Sequence, residues 1–457
     1  MKSAIFISLL LIAFVGKAQQ FSDFKSLRYD EDYSSLQNDT MNNDWYKSLK
    51  FTPLNASSNV YLSFGGDLRY QYFYEKNGKW GDDPEDNDGY VLGRFLLHSD
   101  FHIGNHFRAF LQIQGSTADS KIEPSPVDLN PLEAHQAFLD IALVNTAKSR
   151  LLLRTGRQEL SYGSQRLVSV REGPNNRQSF DALKLIAAKG NYSLESFYSH
   201  YVVARYGIFD DNSNTQRQFW GSYLQISDFP TFKHIDLYYL GYQRKVAVYD
   251  DGHGTEKRHS VGMRVWGKYK NWRYDGETVY QFGSLDSKNI SAWTASINAG
   301  YKFYTVFLKP EIGLKTEVIS GDRHTGDNRL ETFNPLFPRG GYFGLASLIG
   351  PSNLIDIHPS VQFEISKTID WVIDYDIFWR QSTNDGLYAP NGAMIYPKSN
   401  DDSKKIGNQL ESDLIFHPNQ YLYFRLEATW FAAGDYLKAS GTGKDILFTG
   451  VTMQLHF

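Results

Sequence analysis

The sequence predicts an all-β fold: a transmembrane antiparallel β-barrel of about eighteen strands, with short periplasmic turns and long extracellular loops. Three observations point there. Apolar residues recur with a period of two over segments long enough to cross a bilayer as tilted strands. The connectors alternate between short and long. The chain closes on a strand-like run that ends at an aromatic residue, Phe457.

Two regions precede the first strand. Lys2 supplies a positive start, Ala4–Val15 an apolar run, and Gly16-Lys17-Ala18 small residues ahead of a cut before Gln19. Residues 1–18 therefore read as a signal peptide, and since Gln19 is not cysteine, a lipid anchor is not indicated. Residues 19–57 are polar without a clear period and read as a tether or short helical lead-in. The barrel is expected over 58–457.

From Val60 the period becomes two. Val60, Leu62, Phe64, Leu68, Tyr70, Tyr72 and Tyr74 share one face, opposite Asp67, Arg69, Gln71 and Glu75. In 91–103, Phe95, Leu97, Phe101 and Ile103 oppose Arg94, His98, Asp100 and His102. The pattern returns in 107–115 with Arg108, Gln112 and Gln114 on the polar side, and is clear again in 355–365 and 371–380. Pro131–Leu143 and Tyr192–Val203 are ambiguous in register. The final run puts Leu447, Thr449, Val451, Met453, Leu455 and Phe457 on one face.

Short turns are expected at Gly104-Asn105, Lys189–Asn191, Lys270-Asn271, Thr368–Asp370 and His417–Asn419. Long loops are expected at Lys76–Asp88, Thr117–Asn130, Gly156–Lys184, Tyr206–Thr215, Ala247–Lys257, Ser320–Asn353, Ser382–Lys404 and Gly434–Lys444. This asymmetry is that of an outer-membrane barrel, and closure leaves no backbone group unpaired in lipid. A soluble sandwich would not need it, and no repeat supports a solenoid.

Composition narrows the function. A formal charge of −4 over 457 residues argues against a nucleic-acid partner. The absence of cysteine removes disulfides, thiol catalysis and thiolate metal sites. The 30 Tyr and 31 Phe suit a membrane interface. No apolar run after the signal peptide is long enough for a spanning helix.

The stretch Gly156–Lys184, GRQELSYGSQRLVSVREGPNNRQSFDALK, is too long for a simple hairpin and carries Arg157, Arg166, Arg171 and Arg177. A solvated loop and an element folded into the lumen as a constriction are the two readings, and its strand-like flanks favour the second. If the apolar faces meet lipid, the polar faces line the lumen. Arg69, Arg94, Arg108, Arg154, Lys184, Arg244, Arg264 and Lys268 would then form a basic wall. Facing it would stand Asp275, Glu277, Glu311, Glu317, Asp356 and Glu364, followed by Asp374, Asp376, Glu411, Asp413 and Glu427. Such a transverse field suits neutral or zwitterionic solutes, whereas a pore dedicated to a polyanion should be ringed by Arg and Lys. Cross-pairing that braces the wall is the competing reading for any single charge.

No metal site is expected. The loop Lys79–Gly89 lacks the ligand spacing of a calcium loop, and His98 with His102 are too far apart along a strand to share an ion unaided. Ser161, Ser164 and Ser169 have no histidine close in sequence, so catalysis is not expected.

The chain resembles the alginate export family of outer-membrane barrels. The resemblance rests on Gly156-Arg157-Gln158, Tyr162-Gly163, Arg166-Leu167-Val168, Arg171-Glu172, Asn176-Arg177 and Phe180-Asp181. A second block is Ser320-Gly321-Asp322, Thr332–Pro338 and Gly340-Gly341-Tyr342, and a third is Gly443-Lys444-Asp445. It implies a monomeric eighteen-stranded barrel, a lumen narrowed by inward-folded loops, and passage of a polyuronate. The function expected is a passive, porin-like channel of the bacterial outer membrane for hydrophilic solutes, saccharides or a polyuronate among them. The alternative is a plugged surface-binding or adhesion barrel. Expected partners are lipid and lipopolysaccharide, the barrel-assembly machinery through the strand ending in Phe457, and a small polar or saccharide solute. No cofactor is expected.

Overall fold

The structure, a computed structural model, describes residues 24–38, 45–229, 231–399 and 401–457. The signal peptide expected over 1–18 and the start of the lead-in lie outside them.

Eighteen antiparallel strands close into a barrel. The first six are β1 (Val60–Lys76), β2 (Tyr90–Ile103), β3 (Phe107–Asp119), β4 (Asn130–Asn145), β5 (Ser149–Gln158) and β6 (Phe180–Lys189). The next six are β7 (Tyr192–Val203), β8 (Asn212–Ser227), β9 (His234–Tyr249), β10 (Gly252–Tyr269), β11 (Trp272–Leu285) and β12 (Lys288–Lys302). The last six are β13 (Glu311–Ile319), β14 (Leu354–Glu364), β15 (Ile369–Arg380), β16 (Lys405–Phe416), β17 (Leu422–Ala433) and β18 (Ile446–His456). Each strand pairs with its neighbours in sequence, and β18 returns to β1 with Leu447 opposite Lys76 and His456 opposite Asp67. Phe457 and Gly66 exchange backbone hydrogen bonds of 2.9 and 3.0 Å, so the chain terminus is zipped into the seam.

The alternation read from the sequence is the alternation of the wall. On β1, Asp67, Arg69 and Gln71 are buried inward while Phe64, Tyr70 and Tyr72 are exposed outward. On β2, Arg94, His98 and Asp100 are buried while Val91, Leu97 and Ile103 face out. The outward side chains make the lipid-facing band, with Tyr192, Tyr269, Trp272, Phe307 and Trp371 near its periplasmic rim. The two ambiguous segments are ambiguous for a physical reason: the ladder shifts where β4 pairs with β3 at Gln112/Ile113 and with β5 at Ala142/Val144, and β7 shifts at His200/Tyr201. A bulge changes which face the next residue takes.

One expected loop is not a loop. Ala247–Lys257 folds as a tight hairpin with Tyr249 opposite Gly252. Its strands continue because Ala247 and Tyr249 pack with Leu285, Ile290, Leu330 and Tyr388 in a buried apolar cluster.

Residues 24–38 and 45–53 are folded against the lumen wall. Arg28 donates to the carbonyls of Gly66 and Phe457, each at 2.9 Å, and pairs with Glu31 at 2.7 Å. Tyr29 packs edge-on against Phe110 and Phe138, under the guanidinium of Arg154. A short helix, Trp45–Lys50, leads into a two-residue strand paired with β1 at Leu62 and Tyr61.

Candidate solute pathway through the lumen

The loops after β5 and β13 enter the lumen from opposite sides and join. Val168 bridges Phe337 in parallel, with Ser169 N–H donating to Phe337 O at 2.9 Å and Phe337 N–H to Leu167 O at 2.9 Å. At Gly340 an added Cβ would overlap the Pro174 ring, so close approach of the two loops requires glycine there. Leu160, Leu167, Val168, Phe333, Phe337 and Tyr342 from these loops pack with inward aromatics of the wall, among them Phe180, Phe219, Tyr238 and Phe378. The inward face is therefore not polar throughout. Where the wall meets the loops its alternation places aromatics inside, a burial of apolar surface that holds the loops in place.

Arg166 anchors this crossing. It donates to Tyr342 Oη at 2.8 Å, to Thr294 Oγ1 at 3.0 Å and to Ser296, and pairs with Glu317 at 3.1 Å. Glu172 is a second junction. Arg94 lies 2.5 Å from it, Arg177 3.3 Å and Arg69 3.4 Å, while Arg69 also donates to the carbonyls of Glu172 and Pro174. Burial would raise the Glu172 carboxyl, but the surrounding guanidinium groups overcome that and hold it down to about 2. Arg177 also pairs with Glu159 at 2.7 Å and donates to Ser26 O at 2.8 Å, which ties the loop to the N-terminal segment below it. Arg171 has a left-handed backbone, φ 58°, and its guanidinium meets only Asn176 O and Tyr201 Oη, with no carboxylate within ion-pair distance among the described residues.

Not every expected lumen residue belongs there. Arg157 shares its face with Leu153 and Thr155, opposite Arg154, and pairs with Asp181 at 2.9 Å near Asp211. Glu364 ends β14 at the periplasmic rim, where it meets Lys302 and Lys309. The expected separation into a basic and an acidic wall also fails locally. Arg94 pairs with Asp67, Arg108 with Asp100, Arg154 with Asp140 and Arg264 with Asp275. On the other side, Glu411 and Asp413 converge with Glu427 on Arg425 at 2.7–3.0 Å. Opposite charges at facing positions, as Arg154 and Asp140, or at diagonal ones, as Arg94 and Asp67, neutralise each other across the ladder.

Two polar cavities lie against these elements. One of about 300 Å³ sits beside Gly341–Leu345, lined by Arg273, Lys315, Arg339 and Arg425 together with Asp374, Glu411 and Asp413. The other, about 680 Å³, lies among Arg28, Asp67, Glu172, Arg177, His417 and His456. Arg273, Lys315, Arg339 and Arg425 line the smaller cavity although none was expected in the lumen from the sequence. Their strand parity was available for Lys315 and Arg425, but Arg339 enters the lumen only through the loop.

The alginate export family model matches residues 60–445. The chain belongs to the alginate export family. No curated protein matches it. Solved structures match in fold. OccD3 (OpdP) of Pseudomonas aeruginosa is 13% identical at a TM-score of 0.59, over 90% of this chain and 93% of that one. OpdK of the same organism, solved with vanillate, is 12% identical at 0.56, over 87% and 98%. OccK2 (OpdF), in complex with glucuronate, is 11% identical at 0.52, over 86% and 96%. This alginate export family member is thus a porin-like channel barrel of the bacterial outer membrane.

Proposed function

We propose that the channel is passive and monomeric and admits small hydrophilic solutes, of the size of one sugar or amino acid, that carry at least one carboxylate. The cavity of about 300 Å³ beside Gly341–Leu345 carries this reading, because guanidinium, ammonium and carboxylate groups line it together. A sugar acid or amino acid can meet both charges at once. A polyuronate would instead need a continuous basic track, and the joined loops interrupt one. OpdK with vanillate and OccK2 with glucuronate are barrels of like fold solved with small carboxylates. Arg171, free of a carboxylate, is the cation we assign to the constriction, with Arg166 and Arg177 holding its loop. The strand ending in Phe457 serves as the address for barrel assembly.

Liposome swelling tests this. Glucuronate and an amino acid should enter faster than glucosamine, which has no carboxylate, and faster than an oligouronate, and Arg171→Ala should slow glucuronate several-fold relative to glucosamine. Equal entry of oligouronate and glucuronate would contradict the proposal. The buried apolar packing of the loops favours a second reading, a surface-binding barrel closed at rest, under which swelling appears only once a loop is removed.

A further inference from the structure

Strands β14 and β15 present Asp356, His358, Asp374 and Asp376 to the lumen side by side. His358 stands between two carboxylates, with Nε2 2.9 Å from Asp374 Oδ1 and Nδ1 2.6 Å from Asp376 Oδ1. Asp356 is fully buried and aimed at the same point, yet neither of its carboxylate oxygens has a hydrogen-bond partner. One ligand atom from each of Asp356, His358 and Asp376 lies within 4.8 Å of the others. Lys315, opposite His358 in the ladder, is already taken by Glu317 at 2.6 Å.

Two other acid-rich groups occur among the described residues, and each holds donors that Asp356 lacks. Glu411, Asp413 and Glu427 share Arg425. Glu133 accepts the amides of Asp210 and Asp211, and Asp211 accepts Asn130 and the amide of Arg205. Among the described residues only Asp356 has both carboxylate oxygens buried without a hydrogen-bond partner, an arrangement that is costly unless something cationic completes it.

We propose that Asp356, His358 and Asp376 bind one transition-metal ion of the zinc type. The carboxylates give one oxygen each and His358 gives Nδ1. Nε2–H donates to Asp374, the outer carboxylate that orients a metal-bound imidazole. A donor set with an imidazole suits zinc over calcium or magnesium, which prefer oxygen alone. At ligand distances of about 2.0–2.2 Å and tetrahedral angles the donor atoms stand roughly 3.4 Å apart, so the 2.6 Å pair must part by roughly 0.8 Å to admit the ion. Binding releases any proton held at Nδ1. His358 lines the 300 Å³ cavity, so the open position faces water or solute. The inference is independent of conduction, because binding is measured without transport.

The test uses the whole mature chain, folded in detergent, tag removed and chelator-stripped. Zinc is titrated by calorimetry and counted by elemental analysis after gel filtration. The expected result is one zinc per chain, with calcium far weaker. Asp356→Asn and His358→Gln should each weaken zinc by ~10-fold or more, and Asp374→Asn by roughly 10-fold. Heat-modifiable gel migration confirms folding, and Asp356→Asn, which keeps the side-chain shape, carries the test if His358→Gln does not fold. No retained zinc, zinc binding undiminished in the folded variants, or calcium bound as tightly would each overturn the assignment.

Discussion

Glu172 is a single carboxylate gathered by Arg69, Arg94 and Arg177. Its side chain is 44% exposed to the lumen, so confined water screens part of the attraction. Because its folded value lies near 2, below the free value of about 4.3, its contribution is complete above the free value and is lost as pH falls toward 2. Glu172→Gln should therefore lower stability at neutral pH and flatten acid unfolding over that window. Unfolding midpoints measured from pH 7 to 2 check this, and a variant with unchanged acid sensitivity would refute it. At this scale the sequence was partly legible. The four arginines of 156–184 stood out, but Arg157 took the outer face because strand parity continues to the end of β5. Glu172 as their junction depends on a loop path that no period encodes.

Two elements hold the lumen's contents. The helix Trp45–Lys50 buries Lys50 completely among the rings of Phe24, Tyr33 and Tyr46, beside His98 of β2, with no hydrogen-bond partner for its Nζ. Burial lowers the ammonium to about 7, Arg28 adds to the lowering, and Glu31 opposes it. With the folded value below the free value of about 10.4, docking carries its full penalty below about 7 and tightens as pH rises toward the free value. Lys50→Met should strengthen docking of 24–38 and 45–53 by roughly 1–3 kcal/mol and remove its pH dependence. Limited proteolysis between pH 7 and 10 reads this out, and faster cleavage in the variant would contradict it. The second element is the joined pair of loops. Arg166→Ala leaves buried Glu317 with only Lys315 and the Tyr342 hydroxyl and should destabilise the crossing by roughly 3–5 kcal/mol. Faster amide exchange at Leu167–Ser169 and Phe337, with β1 to β18 unaffected, is the expected signature.

The barrel was legible because its determinants are local: period two, connector lengths, and an aromatic end to the chain. What fills it was less so. The lead-in over 19–57 carries no period, yet Arg28, Tyr29 and Tyr46 are buried. The apolar cluster arises where inward aromatics such as Phe180 and Phe378 meet loop residues distant in sequence. The basic and acidic walls dissolved for the same reason, since Arg94 and Asp67 become partners only once β1 and β2 pair. His358 was likewise invisible as a ligand until β15 brought Asp376 to it.

The proposed passive channel is narrowed by its joined loops. Single-channel recording in planar bilayers tests this most directly, on the intact chain and on a variant with residues 339–345 replaced by a short glycine linker. The account predicts a small, ohmic conductance for the intact protein and a severalfold larger one for the variant. Equal conductance in the two, or none in either when both are folded, would contradict it.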